Sequence, residues 1–258
     1  MAEKNVTFVL DKNLGLPTDQ EPLKGILTAA GVTAEATTDL VAIDERLAGD
    51  GPDIAYVPGA DFCRLMLQGN QAYLGLVIAT SKFTGEPGQR TLLVVRRDDP
   101  ASGIGDLAGA EYGYMNESCS SSYFPPAILL NKMGERLDEF FTMKEVAGWQ
   151  ERVDAVVSRE IRATMILQDV WKMTPRNPEN AKVIGEYAPS PPAILVVRKE
   201  LDGRVVSALR EHLLLWRPDW RNIYGAFRPY CFADVQTFYH DLGELPADIR
   251  SPRSFDHR

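Results

Sequence analysis

The sequence predicts an α/β fold of mixed, mostly parallel sheets, divided into two lobes with a cleft between them. Three observations predict it. Strand-like and helix-like hydrophobic patterns alternate along almost all of the 258 residues, the order that builds parallel sheets with helical crossovers. Two strand-like runs, Leu92-Leu93-Val94-Val95-Arg96-Arg97 and Ile194-Leu195-Val196-Val197-Arg198-Lys199, are continuous apolar stretches ending in two cations, and each adjoins a break rich in turn-formers. Four serines in five positions, Ser118-Cys119-Ser120-Ser121-Ser122, sit between a strand-like and a helix-like segment. In open α/β sheets, ligands bind at such strand-to-helix turns.

The elements follow in chain order. The polar start gives way to Val6-Thr7-Phe8-Val9-Leu10, an apolar run of strand length. A helical pattern over 22–30, a strand over 32–37 and a second helical pattern over 40–47 come next. Ile54-Ala55-Tyr56-Val57 is a short buried strand, closed by Pro58-Gly59 and followed by a helical stretch over 62–67. Further strands are expected at 74–79, 91–97 and 111–115. The helix beginning near Ala127 ends at Gly134, a residue type that favours the helix C-terminus. Pro125 and Pro126 suit its first turn, where a missing N–H removes no intrahelical bond. Strands over 141–146 and 162–167 flank a helix over 150–158. Strands over 183–187 and 193–198 precede a helix over 205–215. The aromatic tail after Trp216 reads as packing anchors, and the last residues, 251–258, are polar.

The breaks Asp98-Asp99-Pro100-Ala101-Ser102-Gly103 and Pro189-Ser190-Pro191-Pro192 read as two crossings between the lobes. Lobe 1 is then 1–98 plus 190–258, and lobe 2 is 99–189, carrying the serine-rich turn. Two linkers side by side make a hinge. The competing reading is one continuous sheet with two long loops.

A net charge of −8 argues against a nucleic-acid partner, which a basic face would serve. No apolar run is long enough to span a membrane. No secretory signal precedes the strand at Val6, so the protein is expected to be cytoplasmic if Met1 is the native start, and periplasmic or extracytoplasmic if a signal segment was removed. The three cysteines, Cys63, Cys119 and Cys231, are odd in number and far apart, with no metal-ligand spacing and no disulfide framework. No cofactor and no metal are expected. The serine turn itself offers backbone N–H groups, hydroxyl donors and the positive end of a helix dipole, a seat for an anion that needs no lysine or arginine. The alternative is one capping serine on an ordinary helix, with the rest solvated.

Four segments resemble the phosphate/phosphite/phosphonate substrate-binding proteins of ABC transporters, which have the type 2 periplasmic-binding-protein fold. Asp53-Ile54-Ala55-Tyr56-Val57-Pro58-Gly59 is similar to the family's strand and turn in the first lobe, and Asp106-Leu107-Ala108-Gly109 to its entry into the second. Ser118-Cys119-Ser120-Ser121-Ser122-Tyr123 with Pro126 stands where the family has an S-T-S-G-Y-x-x-P pattern. Asp154-Ala155-Val156, Ile161-Arg162-Ala163 and Asp169-Val170 resemble a later family stretch. The resemblance implies a solute-binding protein that closes on a small oxyanion for ABC-type uptake, a monomer with an ABC permease as partner. It assigns Ser118, Ser120 and Ser121 to the anion, with Ser122 weaker and Tyr123 beside them. Gln150 stands where the family has a histidine, and Asp169 where an acid suits a cationic or protonated ligand end. Trp149, Tyr56 and Asp61 complete the implied site. Cys119 departs from the family's threonine, and no glycine follows the serines. A cytoplasmic enzyme or sensor on the same two-lobe fold, acting on a small carboxylate or pyrimidine metabolite, is the competing function. No nucleophile–base pair supports it.

Overall fold

The computed structural model describes residues 6–11, 25, 28, 32–37, 47, 51–173, 177–218 and 223–250. The helices expected over 22–30 and 40–47 lie almost wholly outside the described residues. The chain divides into two compact units, Met1–Pro87 with Pro191–Gln236, and Gly88–Ser190 with Thr237–Arg258.

The first unit is built on a six-stranded mixed sheet of β1 (Val6–Asp11), β2 (Val32–Thr37), β3 (Ile54–Val57), β4 (Tyr73–Ala79), β10 (Ile194–Arg198) and β11 (Phe227–Pro229), in the order β11-β4-β10-β3-β1-β2. β1 pairs parallel with β2 and β3, while β10 runs antiparallel to both β3 and β4. β3 is buried along its whole length and β10 up to Arg198, as their uninterrupted apolar sequences require of strands covered on both faces. Helix α1 (Gly59–Leu67) follows β3 directly. A Cβ on Gly59 would stand 2.3 Å from the Pro192 carbonyl oxygen, so only glycine lets the chain pass this close.

The second unit is a five-stranded sheet of β5 (Gln89–Arg96), β6 (Glu111–Tyr114), β7 (Thr142–Glu145), β8 (Ala163–Leu167) and β9 (Ala181–Ser190), in the order β7-β6-β8-β5-β9. β6 pairs parallel with β7 and with β8, and β5 runs antiparallel to β8 and β9. Helix α2 (Phe124–Lys132) follows β6, α3 (Trp149–Val157) follows β7, and α4 (Gln168–Met173) follows β8. Helix α5 (Gly203–Leu215) belongs to the first unit. Helix α6 (Gln236–Gly243) begins at the last residue of that unit and continues in the second.

Two boundaries differ from the sequence expectation. The chain leaves the first unit at Pro87, not near Asp98, so the similar runs in β5 and β10 lie in different sheets. The turn-formers Thr84-Gly85-Glu86-Pro87-Gly88 mark the true break. The segment from Thr237 belongs with the second unit rather than the first. Its Phe238 ring meets Phe124 at 6.4 Å and Tyr187 at 6.2 Å, and Asp241 accepts bonds from Lys132 Nζ and the Tyr187 hydroxyl. Among the described residues no helix is long and apolar enough to cross a membrane.

Candidate functional site

The serine turn begins at the end of β6. Asn116 starts it as an Asx turn, its Oδ1 accepting the Ser118 N–H at 3.0 Å while its carbonyl accepts the Cys119 N–H at 3.2 Å. The Cys119 carbonyl then accepts from Tyr123 and Phe124, which turns the chain into α2. Three further bonds hold the loop in shape. The Tyr112 hydroxyl donates to the Ser122 carbonyl at 2.9 Å, the Met115 N–H donates to Ser122 Oγ at 3.0 Å, and Ser190 Oγ donates to the Ser120 carbonyl at 2.6 Å. Tyr112 is itself fixed by accepting the Met165 N–H from β8.

Between these anchors lie the groups suited to an anion. Ser118, Ser121 and Ser122 are buried, and Ser120 is half-buried. Ser121 Oγ shares a 3.3 Å contact with the Cys119 thiol. Among the described residues no acceptor meets the backbone N–H of Ser121 or Ser122. Buried N–H groups are normally paired, so two adjacent ones left open describe a nest for negative charge. The donors belong to the turn rather than to α2. Pro125 and Pro126 remove two N–H groups from its first turn, and the Phe124 N–H is bonded to Cys119. Ser122 Oγ already accepts the Met115 N–H. Tyr123 packs its ring against Phe124 and Tyr114.

The other candidates of this unit enter through the topology. Because β7, β6 and β8 are adjacent and parallel, their carboxyl ends share one sheet edge. The serine turn leaves β6 there, Gly148-Trp149-Gln150 follows β7, and Gln168-Asp169 follows β8. Gly148 takes φ 74° to start α3, and a Cβ at that position would meet the Glu151 carboxylate at 2.0 Å. Trp149 is half-buried with its indole Nε1 lacking an acceptor among the described residues. The Gln150 amide donates to Asp154 at 2.8 Å. Asp169 is buried in the first turn of α4.

Tyr56 and Asp61 belong to the first unit. Tyr56 is buried in β3, edge-on to Phe227, and Asp61 accepts from Arg64 Nη1 at 3.0 Å within α1. Among the described residues no cluster of histidine, cysteine and carboxylate side chains is arranged to hold a metal.

Sequence reasoning missed Arg152. This residue of α3 is fully buried, and its charge acts on the Tyr112 hydroxyl. The signal was present: Arg152 recurs with Trp149, Val153 and Val156 at i, i+3, i+4 and i+7, the spacing of a buried helix face.

A family model described as the ABC transporter, phosphonate, periplasmic substrate-binding protein matches residues 27–224. No curated protein matches the chain in sequence. Among solved structures, the chain is similar to XAC2383 of Xanthomonas citri, solved with chloride, at 18% identity and TM-score 0.71, covering 93% of this chain and 96% of that one. It is similar to a binding protein component of an ABC phosphonate transporter from Pseudomonas aeruginosa at 17% identity and TM-score 0.68, covering 95% and 91%. It is also similar to PhnD1 of Prochlorococcus marinus, in complex with methylphosphonate, at 13% identity and TM-score 0.63, covering 92% and 96%. These likenesses are of fold, and that fold is the two-lobe periplasmic binding protein.

Proposed function

The chain belongs to the phosphonate family of ABC-transporter periplasmic substrate-binding proteins, and from that premise we propose that its serine turn binds a phosphonate or phosphate-like oxyanion for delivery to an ABC permease outside the cytoplasm. The observation that carries this reading is the pair of N–H groups at Ser121 and Ser122 that meet no acceptor among the described residues, set among buried serines at the shared carboxyl edge of three parallel strands. The Ser118, Ser120 and Ser121 hydroxyls and the two N–H groups donate to the ligand oxygens. Asp169 pairs with the cationic end of an aminoalkylphosphonate. Gln150 and Trp149 border the seat at the start of α3. The protein binds and releases its ligand without chemical change.

Thermal unfolding against methylphosphonate, phosphate, phosphite, 2-aminoethylphosphonate and sulfate tests the reading. A ligand at 100 times its Kd stabilises by ~2.7 kcal/mol, which moves Tm by several degrees at ~2–4 °C per kcal/mol. A shift with at least one of the phosphorus oxyanions is the expected result. Each hydrogen bond to a charged group contributes ~1.5–3 kcal/mol, so Ser120→Ala and Ser121→Ala are expected to raise Kd by about 10- to 150-fold. Unaltered affinity in both variants would remove the serine turn from the site.

A further inference from the structure

Arg152 is the largest fully buried side chain among the described residues, at 0% exposure. Among the described residues its Nε and Nη2 have no acceptor, and Nη1 reaches only the Val146 carbonyl, at 3.5 Å. Among the described residues no carboxylate lies within ion-pair distance of it. Three titratable groups act electrostatically on it: the Cys119 thiol in the serine turn, the Tyr112 hydroxyl of β6 and Glu151 of its own helix. Glu151 is exposed and folds back over Gly148. Burial lifts the Tyr112 phenol well above its ordinary range, so it stays neutral. Burial likewise pulls the Arg152 guanidinium down, yet arginine keeps its proton inside proteins. A buried cation without a counter-charge is among the costliest arrangements in a protein interior.

Helix α3, which carries Arg152, starts at the same carboxyl edge of the sheet from which the turn with the open N–H groups leaves β6. Tyr112 and Cys119, the two buried groups that act electrostatically on the guanidinium, both belong to the turn's framework: Tyr112 holds the Ser122 carbonyl and Cys119 touches Ser121 Oγ. We propose that Arg152 is the specificity-determining cation of this site, its missing counter-charge being supplied by the ligand, so that the turn selects doubly charged phosphorus oxyanions over singly charged sulfonates and carboxylates. The inference rests on the serine turn being the anion seat. Hydrogen-bond donors alone do not separate these anions, because all present similar oxygens. A fixed positive charge in a low-dielectric interior does, because its attraction scales with ligand charge.

The test is calorimetric titration of the full chain with methylphosphonate and with methanesulfonate, from pH 6 to 8.5, in wild type, Arg152→Met and Arg152→Lys. Wild type is expected to bind methylphosphonate more tightly as its second proton leaves, while methanesulfonate affinity stays level. The same profile in Cys119→Ser excludes the thiol as the titrating group. Arg152→Met is expected to weaken methylphosphonate by at least ~10-fold and methanesulfonate by only about 3-fold, and to flatten the methylphosphonate pH profile. Arg152→Lys restores the preference in part. Unliganded Arg152→Met is expected to melt no lower than wild type, since an unpaired buried charge is gone. An unchanged ratio between the two anions in a folded Arg152→Met overturns the proposal. If that variant does not fold, a wild-type methylphosphonate affinity that ignores pH overturns it instead. Wild type binding neither anion would fail the reading of the seat itself, a result distinct from binding both without discrimination.

Discussion

Ser121 and Ser122 are neighbours with separable tasks. Ser122 Oγ accepts the Met115 N–H where the turn leaves β6, at full burial. Ser122→Ala strands that donor, at a cost of about 1–3 kcal/mol, and denaturant unfolding should read the loss directly. Ser121→Ala removes only the 3.3 Å contact to Cys119 and should leave the unfolding midpoint nearly in place. Equal destabilisation by the two variants would contradict this division. Asp99 makes a prediction of a different kind. It accepts two bonds from Arg162, at 2.9 and 3.1 Å, and the Ala101 N–H at 2.9 Å. The Arg162 hydrogen bond is the main cause holding its carboxyl below the usual range. A depressed carboxyl contributes stability that is present above its unfolded pKa of about 4 and lost as pH falls through the folded value. Wild type should therefore lose stability below about pH 4, and Asp99→Asn should lose less over the same range. The effect stays small because Arg162 is about a third exposed. Parallel urea titrations from pH 6 down to pH 2 check it; matching acid limbs in the two proteins would exclude Asp99 as a contributor. The serine cluster was legible in the sequence because hydroxyl-rich strand-to-helix turns carry a local pattern. Arg152 was less so, because a single charge within an apolar stripe is outvoted by the charges flanking it.

Helix α3 shows how much of an element the sequence determines and where it departs from the rule. Its existence between two strands was legible from periodicity, and its start needs Gly148 in the left-handed region. At its other end the Glu160 N–H bonds to the Ala155 carbonyl at 2.9 Å and the Arg159 N–H to Val156 at 3.3 Å, a Schellman closure. The closing residue takes φ 69°, where glycine is usual, and here it is Arg159. A side chain in that conformation costs roughly 1–2 kcal/mol, partly offset by the freedom glycine would add to the unfolded chain. The ion pair of Arg159 with Asp98, at 3.8 Å between exposed groups, adds little. Arg159→Gly should thus stabilise by about 0.5–1 kcal/mol, a rise of a few degrees in Tm. A lower Tm would mean that Arg159 holds a contact worth more than its strain. The strands were the most legible elements. Runs such as β5 and β10 are apolar on both faces, and nothing but a covered sheet accommodates them. Their assignment to different sheets was not legible, since similar burial gives similar composition in either.

At the scale of the whole molecule the chain passes between its units three times, after Pro87, Ser190 and Gln236. Only the second of these was marked in the sequence by an obvious proline cluster. The first is a short glycine-proline turn, and the third falls inside the aromatic tail, where no change of composition signals it. Family and fold were nonetheless readable, because alternation and the serine motif survive shifts of ten residues in a boundary. The third crossing carries the last prediction. Phe238, Leu242, Leu245 and Ile249 are buried, and the segment is tied down by Lys132–Asp241 at 2.8 Å and Arg136–Asp248 at 2.8 Å. The two ion pairs are partly exposed and contribute little, so the apolar side chains hold the segment, at ~1.5–3 kcal/mol each. Together they rival the ~5–15 kcal/mol that separates a typical folded domain from its unfolded chain. Deleting 237–258 should therefore remove the second unit's cooperative melting transition in calorimetry, along with methylphosphonate binding, while the first unit keeps its own. The Phe238→Ala substitution in the intact chain, at ~3–5 kcal/mol, should move the same transition without abolishing it. A truncated chain that melts like wild type would mean that the second unit folds without the segment, and that Phe124 and Tyr187 tolerate exposure of the faces Phe238 now covers.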